Sequence, residues 1–193
     1  MLIIGLTGGV ATGKSTVRKM FVRAGAGAID ADNVVHRTLA RGTSEHKKIV
    51  SLLGRGILKK NGTIDRMEMA RAIFCRGSKK LLKKVENIIH PTVLKKMMVA
   101  SKKAQKDGKR IFVMEVPLLF EVGWDKKMDV VVVAACPRDV ASRRCPPNFK
   151  GRSAFQIPIK TKIKKADHVI DTSGAKKDTY KQVKMLYKKL CGD

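Results

Sequence analysis

Gly8-Gly9-Val10-Ala11-Thr12-Gly13-Lys14-Ser15-Thr16 decides how this chain is read. The run has the form G-x-x-x-x-G-K-S. It follows the apolar segment Leu2-Ile3-Ile4-Gly5-Leu6 and precedes Val17-Arg18-Lys19-Met20-Phe21, which is the strand, loop and helix order of a P-loop. Gly8 and Gly13 let the backbone turn where a Cβ would clash, so that successive N–H groups converge on a phosphate chain and the helix N-terminus adds its partial positive charge. Val17, Met20, Phe21 and Ala24 give the helix an i, i+3, i+4, i+7 buried stripe. In such a loop Gly8, Gly9, Ala11, Thr12, Gly13, Lys14, Ser15 and Thr16 hold a nucleotide, with Lys14 at the β- and γ-phosphates and the Ser15 hydroxyl on Mg²⁺.

The 193 residues are enough for one core with an inserted subdomain and too few for two large domains. Hydrophobic residues make up 44%, yet no apolar run approaches the roughly 20 residues that span a bilayer, and no signal-peptide pattern opens the chain. A cytoplasmic protein without membrane attachment is expected. Cys75, Cys136, Cys145 and Cys191 are widely spaced with no C-x-x-C pair, so neither a zinc ribbon nor a disulfide framework is suggested. The net charge of +26, from 42 Lys+Arg against 16 Asp+Glu, is the one compositional extreme. It attracts polyanions in general. Much of the excess is lysine doublets on the polar sides of helical patterns, and one Trp, two Tyr and six Phe leave little to stack bases. Nucleic acid is therefore not the expected partner, and a monomer is expected.

Beyond the first helix, Ala26-Gly27-Ala28-Ile29-Asp30 reads as a second strand ending in Asp30-Ala31-Asp32. The carboxyl ends of strands in an open α/β sheet face the ligand crevice, which brings these acids toward the phosphates. Asp32 or Asn33 can equally cap a helix through Val34, Val35 and Leu39. Residues 33–110 are mostly helical, with a turn at Lys60-Asn61-Gly62-Thr63. A helix carrying Leu81, Leu82, Val85, Ile88 and Ile89 is predicted to stop at His90 before Pro91, with a second one through Val93, Leu94, Met97 and Met98. So long a helical stretch between strands looks like an acceptor-binding insertion. Strands are predicted at about 2–6, 26–30, 111–115, 129–134 and 167–171, in a five-stranded parallel sheet. Glu115, ending the third strand, takes the place of a Mg²⁺-organising carboxylate acting through water. Arg143, Arg144 and Arg152 are candidates to clamp a phosphoryl group.

Three classes compete. A GTPase needs N-K-x-D, which the chain lacks, and a nucleic-acid-dependent ATPase needs further motifs. A small-molecule kinase needs a P-loop, an acid to orient a hydroxyl, an acceptor pocket and mobile arginines, and each has a candidate. A nucleoside monophosphate kinase or a basic P-loop ATPase is the alternative reading.

The chain closely resembles the dephospho-CoA kinase family. The resemblance rests on Gly5-Leu6-Thr7-Gly8-Gly9 through Gly13-Lys14-Ser15-Thr16, Ile29-Asp30-Ala31-Asp32, His90-Pro91 and Pro117-Leu118-Leu119-Phe120-Glu121. It continues in Gln156-Ile157-Pro158, Lys162, Ala166-Asp167 and Val169-Ile170-Asp171 before Ser173-Gly174. It implies a P-loop NTPase three-layer sandwich with a core of residues 1–32, 111–137 and 166–193, a helical acceptor-binding region of 33–110 and a short lid of 138–165. The reaction implied moves the ATP γ-phosphoryl to the ribose 3′-hydroxyl of dephospho-CoA, with Mg²⁺. Asp32 would then orient and deprotonate the hydroxyl while Lys14 and Arg143 stabilise the moving group. Arg152 would bind ATP, and His90, Leu118 and Glu121 would meet the acceptor. His90 has a purely structural role as its alternative. Two departures stand out. Glu115 replaces the family's common Asp, and the stretch from Arg143 to Gln156 is short and carries Cys145-Pro146-Pro147, which cannot continue a helix. The expectation is a preserved ATP site with slower turnover.

Overall fold

The computed structural model describes residues 1–74, 79–145 and 156–192. Arg152, Pro146, Pro147 and Cys75, with the roles expected of them, lie outside the described residues. The chain forms two compact units, one of residues 1–30 with 100–193 and one of 31–99.

The first unit is built on five parallel strands in the order β2-β3-β1-β4-β5. They are β1 (Leu2–Gly8), β2 (Gly27–Asp30), β3 (Ile111–Glu115), β4 (Val130–Ala135) and β5 (His168–Asp171). β1 is central because its residues are apolar on both faces, with Ile4 and Leu6 wholly buried. It registers with β3 from Leu2↔Ile111 to Leu6↔Glu115 and with β4 from Ile4↔Val130 to Gly8↔Ala134. The predicted strands are all present, with β1 running two residues further and β4 displaced by one. The displacement has a local cause. Asp129 and Asp167 each stand before a strand and turn their carboxylates onto neighbouring amides, Ile3 N–H and Val131 N–H, both at 2.7 Å. Side-chain oxygens thus replace ladder carbonyls at the sheet's amino-terminal edge.

Helices flank the sheet. α1 (Lys14–Arg23) and the closing helix (Lys176–Cys191) bury Val17, Phe21, Val183 and Leu186 against β1, β3, β4 and β5 in one cluster. The second unit holds α2 (Ala31–Thr38), α3 (Ser44–Leu53), α4 (Arg66–Phe74) and the first part of α5 (Lys79–Lys106). Thr43 caps α3 by accepting from His46 N–H at 3.1 Å, and Gly54 closes it at φ 87°. The predicted turn at 60–63 is present. Asn61 Oδ1 accepts from Thr63 N–H and Oγ1 there, between the bridged residues Leu58 and Ile64.

The predicted break at Pro91 is a correction, because α5 runs unbroken from Lys79 to Lys106 with the proline inside it. Val85, Ile89, Val93 and Met97 recur every four residues and are all buried, so ending the helix would expose half of that stripe. Pro91 and Asn87, whose carbonyl lacks the helical N–H partner, both lie on the exposed face, where solvent is available to that carbonyl. Met97 is fully buried, as expected of a core-filling methionine. After α5 come α6 (Arg138–Arg143), α7 (Ile159–Lys165) and α8 (Lys176–Cys191). α6 ends before Cys145, where the sequence forbids continuation.

Candidate active site

The P-loop joins the end of β1 to α1, and its backbone explains its glycines. Gly8 has φ 154°, and a Cβ there would stand 2.3 Å from the Ala134 carbonyl oxygen. Gly13, at φ 81°, is the left-handed N-cap from which α1 starts. Ala11 also takes a positive φ of 57°, a conformation that costs about 1–3 kcal/mol in a non-glycine residue and persists where surrounding contacts enforce it. Two such contacts are present. Thr12 Oγ1 donates to Gly9 O at 2.9 Å, and Thr172, just past β5, donates its buried hydroxyl to Thr12 O at 2.8 Å and to Ala135 O at 3.1 Å. The loop is thereby held from inside and from the neighbouring strands.

Lys14 Nζ donates to Gly9 O at 2.6 Å, folded across the loop. Ser15 Oγ donates to Glu115 Oε1 at 2.8 Å, and Arg18 Nε meets Glu115 Oε2 at 2.7 Å. Glu115 is almost fully buried, and a buried carboxylate is tolerated because both oxygens are engaged. The chemistry suits a divalent metal, since Ser15 directs its proton to Glu115 and keeps its oxygen lone pairs for a cation. Ala11, Gly13, Lys14, Ser15, Thr16 and Arg144 line a cavity of about 310 Å³. A larger one, about 390 Å³, sits at the amino-terminal edge of the sheet, lined by Met1, Leu2, Gln105, Gly108, Lys109, Arg110, Leu190 and Cys191. No sequence-predicted site residue borders that second cavity, and strand amino ends are not where an open α/β sheet takes its ligand.

The structure therefore gathers Gly8, Gly9, Ala11, Thr12, Gly13, Lys14, Ser15, Thr16 and Glu115 in one place. Leu118 and Glu121 follow β3 in the same unit, where Glu121 is paired with Lys162 at 2.9 Å. Arg143 is exposed and pairs with Asp139 one helical turn back at 2.8 Å, while its neighbour Arg144 lines the cavity. Asp32 and His90 belong to the second unit. Asp32 is exposed in the first turn of α2, where a carboxylate complements the helix dipole. His90 is partly buried, and desolvation holds its pKa below the ordinary value against the opposing pull of Glu86.

Sequence reasoning missed Arg18 and Thr172. The first had a signal, because Arg18 lies three residues after Ser15 and thus on the same helical face. Thr172 had none, because only the pairing of β5 with β4 brings it under the P-loop.

Comparison with known proteins bears on the family rather than on single residues. The family model for dephospho-CoA kinase matches residues 2–178. A dephospho-CoA kinase from Aquifex aeolicus is 38% identical, with 98% of each chain covered. A solved dephospho-CoA kinase from Campylobacter jejuni superposes with a TM-score of 0.71 at 29% identity, covering 98% of both chains. A crystal structure from Thermus thermophilus superposes with a TM-score of 0.83 at 26% identity, over 98% of this chain and 97% of that one. With the P-loop, its carboxylate and the parallel sheet in place, full-length similarity of this kind leads to one conclusion: the chain belongs to the dephospho-CoA kinase family.

Proposed function

We propose that this protein transfers the γ-phosphoryl group of ATP to the ribose 3′-hydroxyl of dephospho-CoA, giving CoA and ADP, the last step of coenzyme A biosynthesis. The observation that carries the proposal is the cavity of about 310 Å³ lined by Lys14, Ser15 and Arg144 beside the Ser15–Glu115–Arg18 chain, in a chain of this family. P-loop amides and the α1 N-terminus take the triphosphate, and Lys14 exchanges the Gly9 carbonyl for the β- and γ-oxygens. Mg²⁺ is the metal that the Ser15 hydroxyl and, through water, Glu115 would hold, and it would neutralise charge on the phosphates.

In the transfer itself the bond between the γ-phosphorus and the β,γ-bridging oxygen breaks as the acceptor oxygen bonds to phosphorus. The hydroxyl proton passes to Asp32, and the leaving oxygen remains on ADP. Because the transition state is loose, Asp32 contributes orientation as much as basicity. The Arg143–Arg144 pair supplies the cation that follows the moving group, with Arg152 on ATP, and His90, Leu118 and Glu121 meet the acceptor. In this reading residues 33–110 form the acceptor-binding region and 138–165 the lid. The proposed setting is a cytoplasmic monomer; among the described residues no helix is long and apolar enough to cross a membrane.

A coupled ADP-release assay across dephospho-CoA, nucleoside monophosphates and small alcohols tests the acceptor. ADP release with dephospho-CoA and with no other acceptor is expected. Asp32→Asn should keep ATP binding and lose transfer, whereas Lys14→Ala should lose both. An Asp32→Asn enzyme with undiminished turnover removes that residue from the reaction.

A further inference from the structure

Lys162, in α7, is the one lysine whose side chain is wholly buried among the described residues. Its Nζ donates to Pro117 O at 2.8 Å and to Glu121 Oε1 at 2.9 Å. The same Glu121 oxygen accepts from Ile157 N–H at 2.9 Å, and the Pro117 carbonyl also accepts from Thr7 Oγ1 at 3.1 Å. One ammonium therefore ties together three stretches: the end of β1 immediately before Gly8, the segment after β3, and the residues entering α7. Burial lowers its pKa, against the hydrogen bond and charge of Glu121.

Stability alone does not call for this arrangement, because well-packed apolar side chains replace a buried ion pair at little or no loss. What such a pair adds is a fixed position for the groups it holds. The group held here is unusual in one respect. Glu121 Oε2 is buried and accepts no hydrogen bond among the described residues, although a carboxylate oxygen out of water ordinarily finds a donor. Its segment lies beyond the carboxyl end of β3, on the ligand-binding edge of the sheet.

We propose that Lys162 is a positioning residue for the phosphoryl acceptor: it locks Pro117–Glu121 to β1 and α7 so that Glu121 Oε2 meets an N–H or O–H donor of the acceptor nucleotide. The proposal rests on the kinase reading above. Lys162 acts through Glu121 and touches no substrate itself.

The test compares Lys162→Met, Glu121→Gln and the double variant with the full-length wild-type chain. Four quantities are read: KM and kcat for dephospho-CoA at saturating ATP, affinity for a fluorescent ATP analogue, Tm, and amide hydrogen exchange at 118–121 and Ile157. Each single variant should raise KM for dephospho-CoA about tenfold or more, the loss expected of a hydrogen bond to a charged group. Affinity for the ATP analogue should change by less than about twofold, as uniform loss on the acceptor side predicts. Lys162→Met should also lower Tm and speed exchange at the named amides. The double variant no longer buries an unpaired carboxylate and should recover Tm. Its KM should stay raised, by no more than in either single variant, because the two residues act as one unit.

Recovery of KM together with Tm would make Lys162 merely structural and overturn the proposal. So would an unchanged KM in Glu121→Gln, or additive losses in the double variant. A wild-type chain inactive on dephospho-CoA refutes the kinase reading instead. Unaltered exchange at 118–121 in Lys162→Met refutes the lock whichever acceptor the chain uses.

Discussion

Replacing Glu115 by Gln removes one charge and almost no volume, and the structure lets its cost be worked out. In the native site Oε1 accepts from Ser15 Oγ and Oε2 from Arg18 Nε. A glutamine can keep the first contact, but its amide nitrogen then faces the Arg18 donor at a site where the native pair stands 2.7 Å apart. Removing one partner of a buried ion pair costs about 3–5 kcal/mol. The Glu115 side chain is 5% exposed but Arg18 is 21% exposed, so water screens the guanidinium and the loss is about 2–3 kcal/mol. For a chain of this size that lowers Tm by about 4–12 °C.

The single tryptophan, Trp124, is 7% exposed and lies in the same compact unit. Its fluorescence in a urea titration therefore follows the unit that contains Glu115, and the midpoint should fall with an unchanged m-value. The same variant should need more Mg²⁺ for half-maximal ADP release, since the Ser15 hydroxyl loses its charged partner and, in the proposed reading, the metal loses a water-mediated anion. A loss below about 0.5 kcal/mol, within the range of an inconsequential surface change, together with an unshifted Mg²⁺ requirement, would refute the reasoning.

Three further outcomes are expected. Gly8→Ala places a methyl against the Ala134 carbonyl; it should destabilise the chain by about 1–3 kcal/mol and abolish binding of a fluorescent ATP analogue, and a variant that still binds it at native affinity contradicts the loop geometry. Arg144→Met should raise KM for ATP by about tenfold through loss of a charged phosphate contact, and Arg143→Met, whose exposed partner is Asp139, by less; the reverse order in steady-state kinetics would give the clamp to Arg143. Burial lowers the pKa of His90 below 6.5, so between the depressed value and 6.5 the unfolded chain binds a proton that the folded chain does not. Its contribution to stability is complete above pH 6.5 and is lost as pH falls through the folded pKa. Urea midpoints of the wild type and His90→Gln should converge as the pH is lowered, and parallel pH profiles would exclude this.

Much of the site is local in sequence, and that part was legible. A P-loop is a contiguous run whose backbone dihedrals demand glycine at 8 and 13, so Lys14 and Ser15 follow from nine consecutive residues. Buried parallel strands announce themselves as apolar runs, and the acid ending β3 could be read as a site residue because parallel strands bring their carboxyl ends to one edge. Where reading failed, a longer-range term decided. Pro91 carries a strong local penalty, yet the buried stripe from Val85 to Met97 outweighs it and α5 continues. That Arg144 rather than Arg143 lines the P-loop cavity is a matter of helical phase. One residue turns a side chain by about 100°, and six residues of α6 are too few to fix that phase by periodicity.

The amino-acid sequence by itself determined that this chain carries a P-loop between a strand and a helix, that it alternates strands with helices, and which lysine and serine that loop presents. Tertiary structure alone decided that Arg18 and Ser15 share Glu115, that Thr172 holds the P-loop from below, and that Lys162 joins Pro117 to Glu121. The physical reason is separation along the chain. These partners lie up to 160 residues apart, and no local pattern records a contact whose energy is gained only after the sheet has ordered its strands.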